Sequence, residues 1–241
     1  MTFFITDLHK DLRQARLMRR GASPTGAGIV EGIHKTYPRM ESVELPPPAV
    51  LEASLGEVLS RRVSAARSMP PEAFSPQDLG SLLGHALGRR SGHHKRNYPS
   101  GGALYPVETY LLLPQSSELK SGVYHYNPTS HALERLWDIP HTVDVARLIN
   151  GPEEFIMSGL LIFTNVWQRS SVKYGDFAYV LGLLEAGHMS ENVLLVSTAL
   201  NFHVRPIEGY DDKALNELLD LDPEKEQIVQ TIMLGKSKIE Q

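Results

Sequence analysis

The chain reads as an α+β protein, with helices grouped around a central, mostly antiparallel sheet. Three features of the sequence point there. Residues 123–126 and 133–137 are strand-like runs that bracket Asn127, Pro128, Thr129 and Ser130, the composition of a hairpin turn. Residues 107–113 and 160–163 are almost unbroken apolar runs, suited to buried strands. A helical segment of unusual length, from about 175 to 200, is apolar on several sides, so it is central or lies against a second subunit. On it Phe177, Val180, Leu181, Leu184, His188 and Leu195 fall on or near one face.

In chain order, residues 1–50 read as an N-terminal arm too poor in apolar residues for a core of its own, and residues 51–241 as the main domain. Within the arm, residues 21–26 read as a flexible loop and Pro46-Pro47-Pro48 as an extended entry into the domain. Ser54 caps a short helix ending near Arg62, with Leu55, Val58 and Leu59 inward. Ser75 is the N-cap of the next helix, Pro76 its first residue, and Asp78 completes a capping box. Leu79, Leu82, Leu83, Ala86 and Leu87 form its apolar face, and Gly88 stops it. A basic loop over residues 89–96 leads toward the strand at 107–113. After the long helix come a strand (202–207), a helix (211–219) and a strand (228–234).

Composition narrows the class of function. The 241 residues are 41% hydrophobic and 22% charged, ordinary for a soluble globular protein. A net charge of −4 gives no general attraction to nucleic acid or anionic membrane. No run of about 18 apolar residues occurs, so no membrane span is expected, and residues 1–20 lack the apolar region of a secretory signal. These readings place the protein in the cytoplasm. With no cysteine there is no disulfide, thiolate metal site or cysteine nucleophile. His85, His93 and His94 are near in sequence, but no carboxylate stands at ligand spacing, so no metal site is expected. The basic 89–96 loop lacks the interleaved aromatics of a nucleic-acid surface.

Three segments carry candidate chemistry. The first is Arg96-Asn97-Tyr98-Pro99-Ser100-Gly101-Gly102-Ala103-Leu104-Tyr105-Pro106-Val107-Glu108, where prolines and adjacent glycines let backbone N–H groups approach a planar or anionic ligand. The second is Pro206-Ile207-Glu208-Gly209-Tyr210-Asp211, either a strand end with a glycine turn and an Asp helix cap, or a backbone opened toward a ligand heteroatom. The third is Lys173-Tyr174, in a loop before the long helix: solvent-facing side chains, or a reactive pair. A free lysine titrates near about 10.4, so a basic role needs burial or nearby cations to lower it.

Taken together and in order, these segments resemble the nitroreductase-fold flavoproteins, most closely the SagB-type azoline dehydrogenases. The resemblance runs from about His34 to Gly235 and includes Arg61-Arg62, Gly122-Val123-Tyr124-His125-Tyr126, Glu185-Ala186-Gly187-His188 with Asn192, and Leu234-Gly235-Lys236. It implies a homodimer paired through long central helices, with FMN in a cleft at the interface. Arg61 and Arg62 would approach the phosphate and ribityl chain, helped by Lys236 and Lys238. Pro99, Ser100 and Gly101 would come from the partner subunit against the flavin, and the Glu208–Gly209 backbone would meet its N5 region. Lys173 and Tyr174 match the pair that takes a proton from the substrate ring.

The sequence departs from the family pattern at Arg61-Arg62-Val63-Ser64-Ala65, with Arg67 two places further on. Either Ser64 takes over a serine's role in phosphate binding, or that site is partly rebuilt. Phe177 and Val180 stand where arginines are common, and Asn201-Phe202 replaces a common Gly-Leu. The resemblance implies FMN-dependent oxidation of a peptide- or carrier-bound thiazoline or oxazoline to an azole, with a cyclodehydratase as delivery partner. Two alternatives stand beside it: a general NAD(P)H-dependent reductase of nitro compounds or quinones, and a flavin-poor scaffold within a synthetase complex.

Overall fold

The structure is a computed structural model that describes residues 10–11, 14, 34–66, 68–90, 92–93, 95–115, 118–149 and 157–237. The loop expected at 21–26, and Arg67, His94 and Lys238, lie outside the described residues. Seven strands form one sheet: β1 (Glu41–Glu44), β2 (Val107–Leu113), β3 (Gly122–Asn127), β4 (Ala132–Trp137), β5 (Gly159–Val166), β6 (His203–Ile207) and β7 (Glu226–Gly235). Their order is β1-β4-β3-β2-β5-β7-β6, and every neighbouring pair is antiparallel. Around it, among the described residues, lie the helices α1 (Leu55–Arg61), α2 (Pro76–Leu87), α3 (Val145–Leu148), α4 (Gln168–Tyr174), α5 (Phe177–Ala199) and α6 (Asp212–Leu219).

Alternation along the strands divides the core in two. Leu111, Leu113, Leu161, Phe163, Ile232 and Leu234 point to one face, where α2 and α5 cover them. Tyr110, Leu112, Leu160, Ile162 and Met233 point to the other, beneath α3 and α6. Both faces of the central strands are therefore dry, which explains why their sequences are apolar at successive positions rather than at alternate ones.

The helix α2 forms where its sequence signals lie. The Ser75 hydroxyl accepts from Asp78 N–H at 3.2 Å, and the Asp78 carboxylate accepts from Ser75 N–H at 2.8 Å. Beyond Leu87, Gly88 is extended while its N–H still donates to Gly84 O at 3.2 Å. The described part of the arm lies along α2 and the sheet edge. Strand β1 pairs with β4, Leu45 N–H donates to His131 O at 3.0 Å, and a Cβ at Gly80 or Gly84 would overlap Pro46 or Pro48. Glycine is what lets the proline segment sit this close to the helix.

Two local expectations need correction, and the long helix, whose inward face the sequence left open, can be oriented. On α1 only Val58 is buried; Leu55 and Leu59 are 67% and 57% exposed. Lys173 and Tyr174 end a helix, α4, rather than sitting in a loop, because this seven-residue element follows β5 directly and has no side-chain cap to announce it. The long helix turns its other side to the sheet. Its buried positions are Ala178, Gly182, Glu185, Ala186, Met189, Ser190, Val193, Leu194 and Ser197, whereas Leu184 and His188 are exposed. Small residues win the inner face because Gly182 abuts Asn165 so closely that a Cβ there would overlap the Asn165 amide.

A buried polar network runs under the β2–β4 region. His125, fully buried on β3, lies 3.0 Å from Glu108 Oε2 and 2.8 Å from Glu134 Oε2. Both ring nitrogens thus face acceptors, which calls for the imidazolium. Burial pushes the His125 pKa down, but the bonds to Glu108 and Glu134 and their charges outweigh it and the net shift is upward. Tyr37 and Tyr110 pack edge-on against the imidazole at 5.1 and 5.2 Å. Glu108 also receives Lys35 N–H at 2.6 Å and Arg169 Nη2 at 2.6 Å. Replacing His125 by alanine leaves two buried carboxylates without their shared cation, so the urea midpoint should fall by the equivalent of roughly 3–5 kcal/mol. A loss below about 1 kcal/mol would mean the two carboxylates need no cation between them.

Candidate functional site

Sheet topology gathers the candidate segments. Strands β5 and β6 are both antiparallel to β7, and β2 is antiparallel to β5. The segment before β2, the helix after β5 and the turn after β6 therefore leave the sheet at one end. They carry, in turn, Pro99, Ser100 and Gly101; Lys173 and Tyr174; and Glu208 and Gly209. Strand ends facing a common crevice are where sheet proteins usually place ligands.

The segment before β2 is a strained turn. Gly102, Ala103 and Tyr105 hold φ of 67°, 55° and 49°. Glycine adopts this region freely, but alanine and tyrosine each lose about 1–2 kcal/mol there. The turn is held by polar ties. Tyr105 N–H donates to Ser100 Oγ at 2.9 Å, Ala103 N–H to Ser100 O at 3.1 Å, and Arg169 Nη1 to Tyr105 O at 3.2 Å. On the other side, Arg96 N–H donates to the Tyr105 hydroxyl at 3.0 Å, and the Arg96 guanidinium lies 4.8 Å from the Tyr105 ring centre.

Lys173 and Tyr174 lie directly on this turn. A Cβ at Gly102 would come within 2.5 Å of the Tyr174 hydroxyl and 2.8 Å of Lys173 Nζ. Lys173 Nζ is itself 5.4 Å from the Tyr174 ring centre, and both side chains are half-buried. Two contacts fix α4: Arg169 to Glu108, and Trp167 stacked on Tyr179 of α5 at 5.2 Å and 22°. A lysine amine or a tyrosine phenolate at these positions, beside bare backbone amides, can take a proton from one side of a flat ring laid on the turn.

One residue of this site stood within the recognised segments without a role assigned to it from sequence. Glu185, 2% exposed on the inner face of α5, faces the same turn. Burial pushes its carboxyl pKa up to about 7, although the Ser100 hydroxyl, the Arg96 and Arg169 charges and the Val107 N–H pull it back. A lone carboxylate on the apolar stripe of a long helix was the available signal.

The cationic candidates are at the opposite end of β6. Arg61, at the end of α1, donates to Asn201 Oδ1 just before β6. Ala65 N–H donates to Val204 O at 2.9 Å and Arg205 Nη1 to Ala65 O at 2.8 Å, so the 62–66 segment runs beside β6 with Ser64 exposed. Arg62 is half-buried and Arg61 exposed. Lys236, at the end of β7, is committed to Asp78 at 2.5 Å, 16% exposed. Glu208 accepts from Gln230 Nε2 at 3.0 Å, and nothing lies within 4 Å of a Cβ built on Gly209. The arrangement suits an elongated ligand: guanidinium groups at one end for an anion, open glycine backbone at the other for a flat ring. The five residues of β6 separate the two ends by about 17 Å.

Residues 59–236 match the model of the nitroreductase family, so the chain belongs to that family. It is 28% identical over 185 residues to a Methanocaldococcus jannaschii protein described as a nitroreductase, covering 75% of this chain and 91% of that one. It is 31% identical over 157 residues to the microcin B17-processing protein McbC of Escherichia coli, covering 62% of this chain and 53% of McbC. The chain thus spans about half the length of that relative. Among solved structures, the E. coli microcin synthetase McbBCD complex with truncated pro-MccB17 bound matches with a TM-score of 0.68 at 24% identity, over 97% of this chain and 93% of the matched one. A Desulfovibrio desulfuricans nitroreductase-class protein in complex with FMN matches with a TM-score of 0.52 at 17% identity, over 79% and 93%. At these identities the structural matches show the fold. Among the described residues no cluster of His, Asp and Glu is placed to hold a metal ion, and no helix is long and apolar enough to cross a membrane.

The raised Glu185 pKa has a sign that can be measured. Between the ordinary carboxyl value and about 7 the native state binds a proton that the unfolded chain does not, so this group's contribution to stability falls as pH rises through that window. Glu185→Gln removes the titration. The variant's Tm relative to wild type should therefore climb from about pH 5 to about pH 8, and a pH-independent difference would contradict the assignment.

Proposed function

We propose that this chain is an FMN-dependent oxidoreductase that oxidises a peptide- or carrier-bound thiazoline or oxazoline ring to the thiazole or oxazole in natural-product biosynthesis. The observation that carries this reading is the apposition of Lys173 and Tyr174 to Gly102. The likeness to McbC, a microcin B17-processing protein, supports it. FMN, when bound, would supply the acceptor for the hydride that leaves the ring, both electrons going with it, and dioxygen would be the terminal oxidant. The chain's own residues do the rest. Lys173 and Tyr174 take the ring proton, one as base and the other orienting the ring or relaying the proton. Arg61 and Arg62, with Ser64, hold the phosphate and ribityl end; fork geometry and permanent charge suit arginine to that task. Pro99, Ser100 and Gly101 line the flavin face, and the Glu208–Gly209 backbone approaches the flavin edge. Lys236 serves the phosphate only by leaving Asp78.

A homodimer completes this site. The outer side of α5 presents Tyr179, Leu183 and Leu184, with exposed Gly187 near the middle of the helix and Val172 on adjoining α4. An apolar stripe of this kind on a central helix favours burial against a second copy. A two-fold axis perpendicular to α5 would set the two copies of the helix antiparallel. The Arg61 end of one chain then meets the Ser100 and Lys173 end of the other, which accounts for phosphate and ring residues standing at opposite ends of one protomer. A cyclodehydratase partner is proposed by likeness to the microcin synthetase complex. The alternative, a general NAD(P)H-dependent reductase, is favoured by the nitroreductase relative that this chain covers almost end to end; rapid bleaching of the flavin by NADPH would select it.

Lys173→Ala should retain bound FMN while azole formation on an azoline peptide falls by at least about 100-fold, followed by the mass loss of two hydrogens per ring. Unchanged turnover removes Lys173 from the reaction. Leu184→Glu should convert a sedimenting dimer to monomer and release the flavin; an unaltered dimer would place the interface elsewhere.

A further inference from the structure

The chain holds a second concavity, about 510 Å³ in volume, to which none of the residues assigned above contributes. Pro47 and Pro48 of the arm, Gly84 of α2, and Tyr126, Pro128 and His131 of the β3–β4 hairpin form its floor. The basic loop after α2 forms its rim, with Arg89, Arg90 and His93. The floor is fixed in advance. The Tyr126 hydroxyl and Pro46 O each lie 3.0 Å from a ring nitrogen of His131, and a Cβ on Gly84 would overlap Pro48 Cγ. Prolines and a pinned imidazole lose little freedom when a ligand settles on them.

Nothing in the fold accounts for the rim arginines. Basic residues near a helix end often satisfy its last carbonyls, but here other groups do so. Gly84 O accepts Gly88 N–H at 3.2 Å and Asn97 Nδ2 at 3.0 Å. His85 O accepts Asn97 Nδ2 at 2.9 Å, and Ala86 O accepts Asn192 Nδ2 at 3.0 Å. Arg89 and Arg90 are exposed, and neither forms an ion pair among the described residues. The Arg89 guanidinium reaches Thr129 Oγ1 and His93 O, both at 3.4 Å, which leaves most of its N–H groups open. No described Asp or Glu lines the cleft. In a chain of net charge −4, such a site draws an anion from outside. Its volume exceeds a lone carboxylate or phosphate, and its proline floor suits a ligand with apolar groups beside its charges.

We propose that this cleft binds an acidic segment of the peptide that carries the azoline ring, its carboxylates on Arg89 and Arg90 and its apolar side chains on Pro47 and Pro48. The inference rests on the functional reading for the identity of the peptide, but not for the site. Guanidinium groups pair with carboxylates through two parallel bonds, which suits arginine to the rim. Tyr126 is 2% exposed, so the floor offers no aromatic face on which a nucleic-acid base could stack. The chain itself sets the spacing. Gly88 O accepts Asn97 N–H at 3.0 Å, and Ser100 stands three residues beyond Asn97. Three residues span at most about 11 Å, so the cleft edge at Gly88 lies within roughly 16 Å of the Ser100 turn. An extended peptide covers that distance in about five residues, and a few more bring it to the arginines. The acidic stretch therefore stands about five to eight residues from the ring.

Fluorescence anisotropy with a labelled peptide of alternating glutamate and leucine tests the site without turnover. The double variant Arg89→Glu/Arg90→Glu should weaken binding at least about tenfold, as should glutamine in place of the peptide's glutamates. Lysine in place of those glutamates should restore binding to the double variant and not to wild type. Lys213→Glu, which reverses an exposed charge on α6, should leave binding unchanged. Equal binding by wild type and the double variant overturns the proposal. So does an equal loss in Lys213→Glu, or a labelled oligothymidylate that binds as tightly as the peptide. With an azoline peptide whose glutamates stand about five to eight residues from the ring, the double variant should raise KM about tenfold at unchanged kcat. An unchanged KM overturns the assignment to the substrate peptide. If wild type forms no azole while arginine-dependent peptide binding holds, the functional reading fails and the acidic-peptide site stands.

Discussion

The candidate site depends on one constraint: the turn over residues 100–105 must be held in a conformation that its own residues resist. Two of its non-glycine residues sit at positive φ, and the chain ties them down from three directions. Ser100 takes Tyr105 N–H, Arg169 takes Tyr105 O, and Arg96 secures the Tyr105 ring and hydroxyl. Without those ties Gly102 has no reason to stand where the Lys173 and Tyr174 head groups meet it. The energy comes from elsewhere in the fold, as is usual where strain accompanies function.

Arg169 links that turn to the buried network. It bonds the turn with one nitrogen and Glu108 with another, and Glu108 is shared with His125 and the Lys35 amide. Charges outweigh burial at Glu108, whose pKa is held down to about 2 by His125, Arg169 and Arg96. The carboxylate therefore stays ionised at any working pH. A continuous set of buried ion pairs thus joins the N-terminal segment, three central strands and the helix that carries Lys173 and Tyr174. Such pairs contribute little net stability compared with apolar packing, but they fix geometry. Geometry is what the proposed proton-taking pair requires.

Much of this was legible in the sequence, for local reasons. Ser75, Pro76, Asp78 and Gly88 mark α2 at both ends because capping involves neighbours only. The strand runs and the hairpin turn at 127–130 were equally local. What stayed hidden depended on distant partners. The long helix is apolar on all sides, so its pattern carries almost no direction, and the inner face was decided by how closely Asn165 approaches Gly182. The outward Leu55 and Leu59 follow from where α1 meets α5, which no local pattern states. Of the site, Lys173, Tyr174 and the Ser100–Gly101 segment were recognisable, but not their contact. Lys236 read as a free cation because its partner, Asp78, is 158 residues away. Glu185 sat in view within the recognised stretch; its burial follows from how α5 packs over the sheet, which no local pattern states.

The central claim is that the guanidinium groups beside β6, the open Gly209 turn and the Ser100 turn together enclose one flavin per chain. The absorption spectrum of the protein as purified, followed by mass identification of what heat denaturation releases, tests it most directly. The account predicts a yellow protein that gives up FMN in equal amount to polypeptide. A protein that is colourless, and remains so after incubation with FMN and removal of the excess, would contradict it.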